Sequence, residues 1–81
     1  MKKIRIYVRR GCHLCERLLE ELMPLARDQI LLDVVDIESR SEWKEKFETQ
    51  IPVVEYEGKF VCRYKLDVSA IRTILANLSE S

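Results

Sequence analysis

Three cysteines, Cys12, Cys15 and Cys62, are the strongest candidates for chemistry in this chain, and two of them stand together in Arg10-Gly11-Cys12-His13-Leu14-Cys15. A Cys-x-x-Cys pair supports either reversible dithiol–disulfide exchange or capture of a soft metal. Its setting favours the first. Ile4, Ile6 and Val8 alternate with polar residues ahead of the pair, and Leu14, Leu18, Leu22 and Leu25 recur behind it at helical spacing. A strand, a glycine turn and a helix would place Cys12 at a helix N-terminus. Unpaired backbone N–H groups and the positive end of the helix dipole favour an anion there. A thiolate is such an anion. The expected roles are Cys12 as nucleophile, attacking a substrate disulfide, and Cys15 as the resolving thiol one turn later.

Arg9 and Arg10 precede Cys12 and His13 follows it. Arg10 and His13 are therefore candidates for tuning the thiol, adding positive charge to the helix-end effect. The competing reading makes His13 a solvated first-turn residue. Lowering a thiol pKa from about 8.5 to about 6 raises its thiolate fraction at pH 7 roughly 30-fold. The same shift lowers its intrinsic nucleophilicity roughly 13-fold, for a Brønsted slope of about 0.45. The larger benefit falls on the sulfur as a leaving group when the second cysteine attacks.

The metal reading is poorer. Four-coordinate zinc needs two further ligands, and the chain adds only Cys62 and a histidine inside the motif. The Cys-x-x-Cys-His order of haem attachment is absent. Small copper carriers also place Cys-x-x-Cys after a first strand, but in a β-α-β-β-α-β order that leaves no room for a C-terminal helix. No metal ligand set is assigned.

The elements that must position the pair can be read in sequence. Residues 3–9 form a first strand and residues 13–27 a helix, kinked at Pro24 because the Glu20 carbonyl loses its donor. Leu31 to Ile37 form a second strand. Ser39-Arg40-Ser41-Glu42 has the pattern of a capping box opening a short helix to Glu48, with Trp43 and Phe47 one turn apart and covering the sheet. Val53–Tyr56 and Phe60–Tyr64 flank Glu57-Gly58-Lys59 as a hairpin, with Phe60, Cys62 and Tyr64 on one face and Cys62 buried. Asp67 caps a last helix that turns Val68, Ile71, Ile74, Leu75 and Leu78 inward. The order is β-α-β-α-β-β-α, an α/β domain spanning residues 1–81 with a four-stranded mixed sheet and helices on both faces.

Composition sets the remaining bounds. The chain has 81 residues, 47% apolar and 35% charged, with zero formal net charge, so it reads as one globular domain. Neutral charge without an aromatic–basic groove argues against nucleic acid. Met1–Arg10 is basic but lacks the apolar core of a signal peptide, and no segment approaches a membrane span. Three cysteines are too few for a secreted disulfide framework, so a reducing cytoplasm is expected.

The element order, the Cys-x-x-Cys after the first strand and Ile51-Pro52 before the third resemble the thioredoxin fold. The length makes the chain similar to glutaredoxins, and most of all to small glutaredoxin-like proteins with Cys-His-Leu-Cys. The resemblance implies a disulfide oxidoreductase working through a mixed disulfide. It implies a cis peptide at Pro52, with the Ile51 backbone pairing an extended substrate thiol such as glutathione. Glutaredoxins usually carry Gly-Gly after this proline. Here Cys62-Arg63 stand at that place and Tyr64-Lys65-Leu66-Asp67 follow, one residue longer. Asp67 could hold an α-amino group or serve as a plain N-cap, and Arg63 or Lys65 could pair with a carboxylate. The expected partners are a disulfide-containing protein or glutathione, and a reductase, acting on a monomer with no tightly bound cofactor. The alternatives are a metal or iron–sulfur carrier using the same cysteines, and a non-catalytic interaction domain.

Overall fold

The computed structural model describes residues 2–79. Its elements are β1 (Lys3–Val8), α1 (His13–Ala26), β2 (Leu31–Asp36), a 3₁₀ turn (Ile37–Ser39), α2 (Ser41–Phe47), β3 (Val53–Tyr56), β4 (Lys59–Arg63) and α3 (Val68–Ser79). The strands form one sheet in the order β2-β1-β3-β4. β1 runs parallel to β2 and antiparallel to β3, and β3 is antiparallel to β4. This is the α/β architecture that the periodicities predict.

Alternation along β1 decides which helix covers which face. Ile4 and Ile6 point to one side and pack with Leu18, Leu22 and Ala26 of α1, Ile71 and Leu75 of α3, and Val54. Tyr7 points to the other, where Ile37, Phe47 and Val53 close a second, smaller core against α2. The Tyr7 ring lies 4.2 Å from Phe47 and meets Trp43 edge-on at 5.6 Å, centroid to centroid. Trp43 and Phe47 thus cover the sheet as their spacing predicts. Aromatic pairs of this kind add about 1 kcal/mol each beyond the area they bury.

Local details depart from the sequence reading in two places, the Ser39 cap and Leu14. The capping box at Ser39 does not form. Asp36 caps the 3₁₀ turn by accepting from the Glu38 N–H, and the Ser39 hydroxyl donates to the Asp36 carbonyl, so α2 opens at Ser41 without a side-chain cap. Leu14 is 50% exposed, because Cys15 rather than Leu14 turns inward on the first turn of α1. Pro24 falls in the last turn of α1, close enough to the end that the helix runs on to Ala26.

The hairpin turn is tighter than the expected three residues. Glu57 and Gly58, with φ of 51° and 78°, form a two-residue loop whose paired positive φ values suit the strand twist. A bulge in β4 places Val54 opposite Cys62 but Glu55 opposite Phe60. Two residues of β4 then span one step of β3, which turns Phe60 away from the Cys62 face. The shared face expected for Phe60, Cys62 and Tyr64 is lost: Cys62 is buried, while Phe60 and Tyr64 are exposed.

Candidate redox site

The chain leaves β1 through a turn in which the Cys12 N–H donates to the Arg9 carbonyl at 3.2 Å. Gly11 is the third residue of this turn, and its φ of 81° is the left-handed value that side chains resist. The turn delivers Cys12 as the N-cap of α1. Its carbonyl accepts the first helical hydrogen bond, from the Glu16 N–H at 3.1 Å. Its sulfur accepts from the Cys15 N–H at 3.1 Å. A sulfur therefore occupies the place where Ser or Asp oxygens usually cap a helix.

Cys12 and Cys15 have Cα atoms 5.2 Å apart and their sulfurs are at disulfide distance. Their environments differ. Cys12 is half-buried, whereas Cys15 is 2% exposed. Among the described residues, no group of three metal-binding side chains gathers around them.

The charges around the pair are held in different ways. His13 is almost wholly exposed, and its Nδ1 lies 3.6 Å from a Glu16 carboxylate oxygen. Arg10 is exposed and makes no ion pair among the described residues. Arg9 is the anchored arginine. It donates to Glu38 at 2.9 Å, and Lys44 approaches the same carboxylate at 3.5 Å. The Arg9 hydrogen bond, reinforced by Lys44, holds the Glu38 carboxyl below its ordinary value.

Sheet topology gathers the remaining candidates at the same end. β1 finishes there, and β3 starts there because the two are antiparallel, with Tyr7 opposite Val53. The Ile51–Pro52 peptide that leads into β3 is cis, as the resemblance implies, and Pro52 is buried. β4 ends beside it, with Arg63 opposite Val53, and the Tyr64 N–H donates to the Pro52 carbonyl at 2.8 Å. Arg63 is exposed and donates to the Gln50 side chain at 3.2 Å. Asp67 acts as an N-cap, its carboxylate accepting from the Ala70 N–H at 3.0 Å. Cys12, Ile51, Pro52, Arg63 and Asp67 thus share one end of the sheet.

A family model for the glutaredoxin-like domain (DUF836) matches residues 3–76. The chain belongs to the glutaredoxin-like family. A Nitrosomonas europaea protein whose structure was solved in solution by NMR is 30% identical to this glutaredoxin-like chain. The match covers 90% of this chain and 89% of that one, with a TM-score of 0.78. Among the described residues, no helix is long and apolar enough to cross a membrane.

Two features of this glutaredoxin-like site escape sequence reasoning, the left-handed Tyr64 and the β4 bulge beside Cys62. Tyr64 has a φ of 66°, a conformation that nothing in its side chain announces. Cys62, beneath the start of α3, has its thiol pushed up from the ordinary value by burial, with the Asp67 N–H partly offsetting this. The buried strand cysteine was legible; the bulge that separates it from Phe60 was not.

Proposed function

We propose that the protein is a thiol–disulfide oxidoreductase in which Cys12 attacks and Cys15 resolves. The observation that carries this is the asymmetric pair: a half-exposed sulfur capping a helix, bonded distance from a buried one. The Cys12 thiolate attacks one sulfur of a substrate disulfide, forms a mixed disulfide and expels the other sulfur as a thiolate. Cys15 then loses its proton and attacks the Cys12 sulfur. That step closes the Cys12–Cys15 bond and releases the second substrate thiolate, two electrons having passed to the substrate. The Cys15 N–H that caps the Cys12 sulfur stabilises negative charge both on the attacking thiolate and on the same sulfur as leaving group.

Ile51 supports the reading, since its backbone makes no hydrogen bond among the described residues and leads directly into β3. It is free to pair with an extended substrate, with Pro52 fixing its direction. In this reading the protein works as a monomer in a reducing cytoplasm, without a tightly bound cofactor. Glutathione or a reductase returns it to the dithiol. The test is mass spectrometry of a Cys15→Ser variant after exposure to oxidised glutathione, with peptide mapping. An adduct confined to Cys12 is expected. A variant that stays unmodified, in a protein whose wild-type form oxidises no dithiol, rules the mechanism out.

A further inference from the structure

A groove of about 200 Å³ runs between α1 and the segment linking β4 to α3. Its apolar walls are Leu14, Leu18, Tyr64 and Leu66, and its polar rim is Arg17, Glu21 and Lys65. It opens at the first turn of α1, two residues beyond Cys12. We infer that this groove docks an extended segment of a substrate protein, one that offers a large apolar side chain and a carboxylate beside its reacting cysteine. The inference rests on the oxidoreductase reading and names the substrate class for it.

The first support is the backbone at Tyr64. The Lys65 N–H donates to the Arg63 carbonyl at 2.7 Å across Tyr64, whose φ is 66°. A three-residue turn of this left-handed form is rare and strained, and more so for a bulky aromatic residue. Such strain persists only where its surroundings over-determine it, and it gathers at functional sites. Here the Tyr64 N–H is held by the Pro52 carbonyl at 2.8 Å and its hydroxyl by the Thr49 carbonyl at 3.0 Å. The three bonds hold the ring as a wall of the groove and set Lys65 on its rim.

Exposure and charge define the occupant. Leu14 and Tyr64 are 50% and 44% exposed, so the groove shows water an apolar surface that a buried side chain would cover. Arg17 and Lys65 make no ion pair among the described residues, whereas Arg9 at the same end is taken up by Glu38. Two free cations against the single carboxylate of Glu21 favour an acidic partner. Glutathione would satisfy the cations but has no apolar side chain for the walls. A protein segment supplies both.

The experiment measures reaction of the reduced protein with synthetic peptide disulfides whose cysteine is flanked by Leu and Asp. Controls replace Asp with Lys, or Leu with Ser, and oxidised glutathione and a small uncharged disulfide are run alongside. The Leu/Asp peptide should react about 10-fold faster than either peptide control, as expected for losing one apolar contact or reversing one charge. Lys65→Glu should invert the Asp-over-Lys preference, and Tyr64→Gly should reduce the Leu-over-Ser preference. A purely structural Tyr64 would leave that ratio unchanged. Turnover of the small disulfide with no peptide preference, or with glutathione preferred, overturns the groove and leaves the oxidoreductase reading standing. Failure to react with any disulfide overturns both.

Discussion

Replacing Cys12 by alanine and by serine separates its structural role from its chemistry. Both variants lose the sulfur and both should be inactive, yet only alanine loses the acceptor for the Cys15 N–H, which is bonded at 3.1 Å. Removing a capping oxygen from a helix N-terminus typically costs about 1 kcal/mol, and this cap is half-buried, neither fully wet nor fully shielded. Cys12→Ser should therefore exceed Cys12→Ala in stability by about 1 kcal/mol. For a domain of this size that corresponds to roughly 4–8 °C in Tm. The assay is urea and thermal unfolding followed by circular dichroism, with reductant present so that neither variant carries a disulfide. Coincident curves would refute the reasoning. They would mean that the N–H stabilises nothing at that position, and the structural basis for a preferred Cys12 thiolate would go with it.

Other expectations follow from named contacts. Cys62 is 8% exposed, and burial holds its thiol above the ordinary value of 9.0, so at pH 7 its thiolate is below about 1%. Alkylation of the folded, reduced protein should modify Cys62 roughly 30-fold more slowly than an exposed thiol, taking local opening at about 2 kcal/mol; peptide mapping reads this directly. Because the folded value is raised, the Cys62 contribution to stability is intact below the unfolded pKa and is lost as pH rises through the folded one. Oxidised wild type should thus lose stability above about pH 9 more steeply than oxidised Cys62→Ala. Burial alone would raise the Asp33 carboxyl, but Arg5 at 2.9 Å and Lys3 at 3.4 Å outweigh it and hold it low. Asp33→Asn should cost about 0.5 kcal/mol near neutral pH, and the difference should vanish as acid protonates the wild-type carboxyl. Glu57→Asn, at a positive-φ turn position that Asn tolerates, should raise stability by about 0.5 kcal/mol in the same unfolding assay.

Regular elements were legible in the sequence because each buries one face, and burial writes a period. Ile4 and Ile6 announce a strand, and Leu18 and Leu22 a helix, before any contact is known. The pair Cys12 and Cys15 was legible for the same reason, lying between two unmistakable periods. Charge contacts were not. Nothing in the sequence shows that Glu38 captures Arg9 and leaves Arg10 alone, since the two arginines differ only in which way a turn points them. The β4 bulge and the left-handed Tyr64 were equally hidden, because both depend on what β3 and Pro52 offer across the sheet. Departures from local rules thus concentrate near the cysteines.

The burial difference between the two cysteines bears on the order of events in the proposed reaction. A substrate disulfide must approach along the S–S axis, and only Cys12 meets solvent to any extent; Cys15, 2% exposed beneath the first turn of α1, would need the helix to open before a protein disulfide reached it. Once a partner is attached to Cys12, the geometry reverses its meaning. Cys15 attacks from the protein side, and the partner's sulfur leaves toward water, where its charge is solvated. Closing the pair needs little backbone movement, because the Cα separation of 5.2 Å already suits the bond. Entry and exit therefore use the same exposed sulfur, and the buried one takes part only after substrate has arrived. That separation protects the resolving thiol from adventitious oxidants, to which exposed low-pKa thiols are the more susceptible.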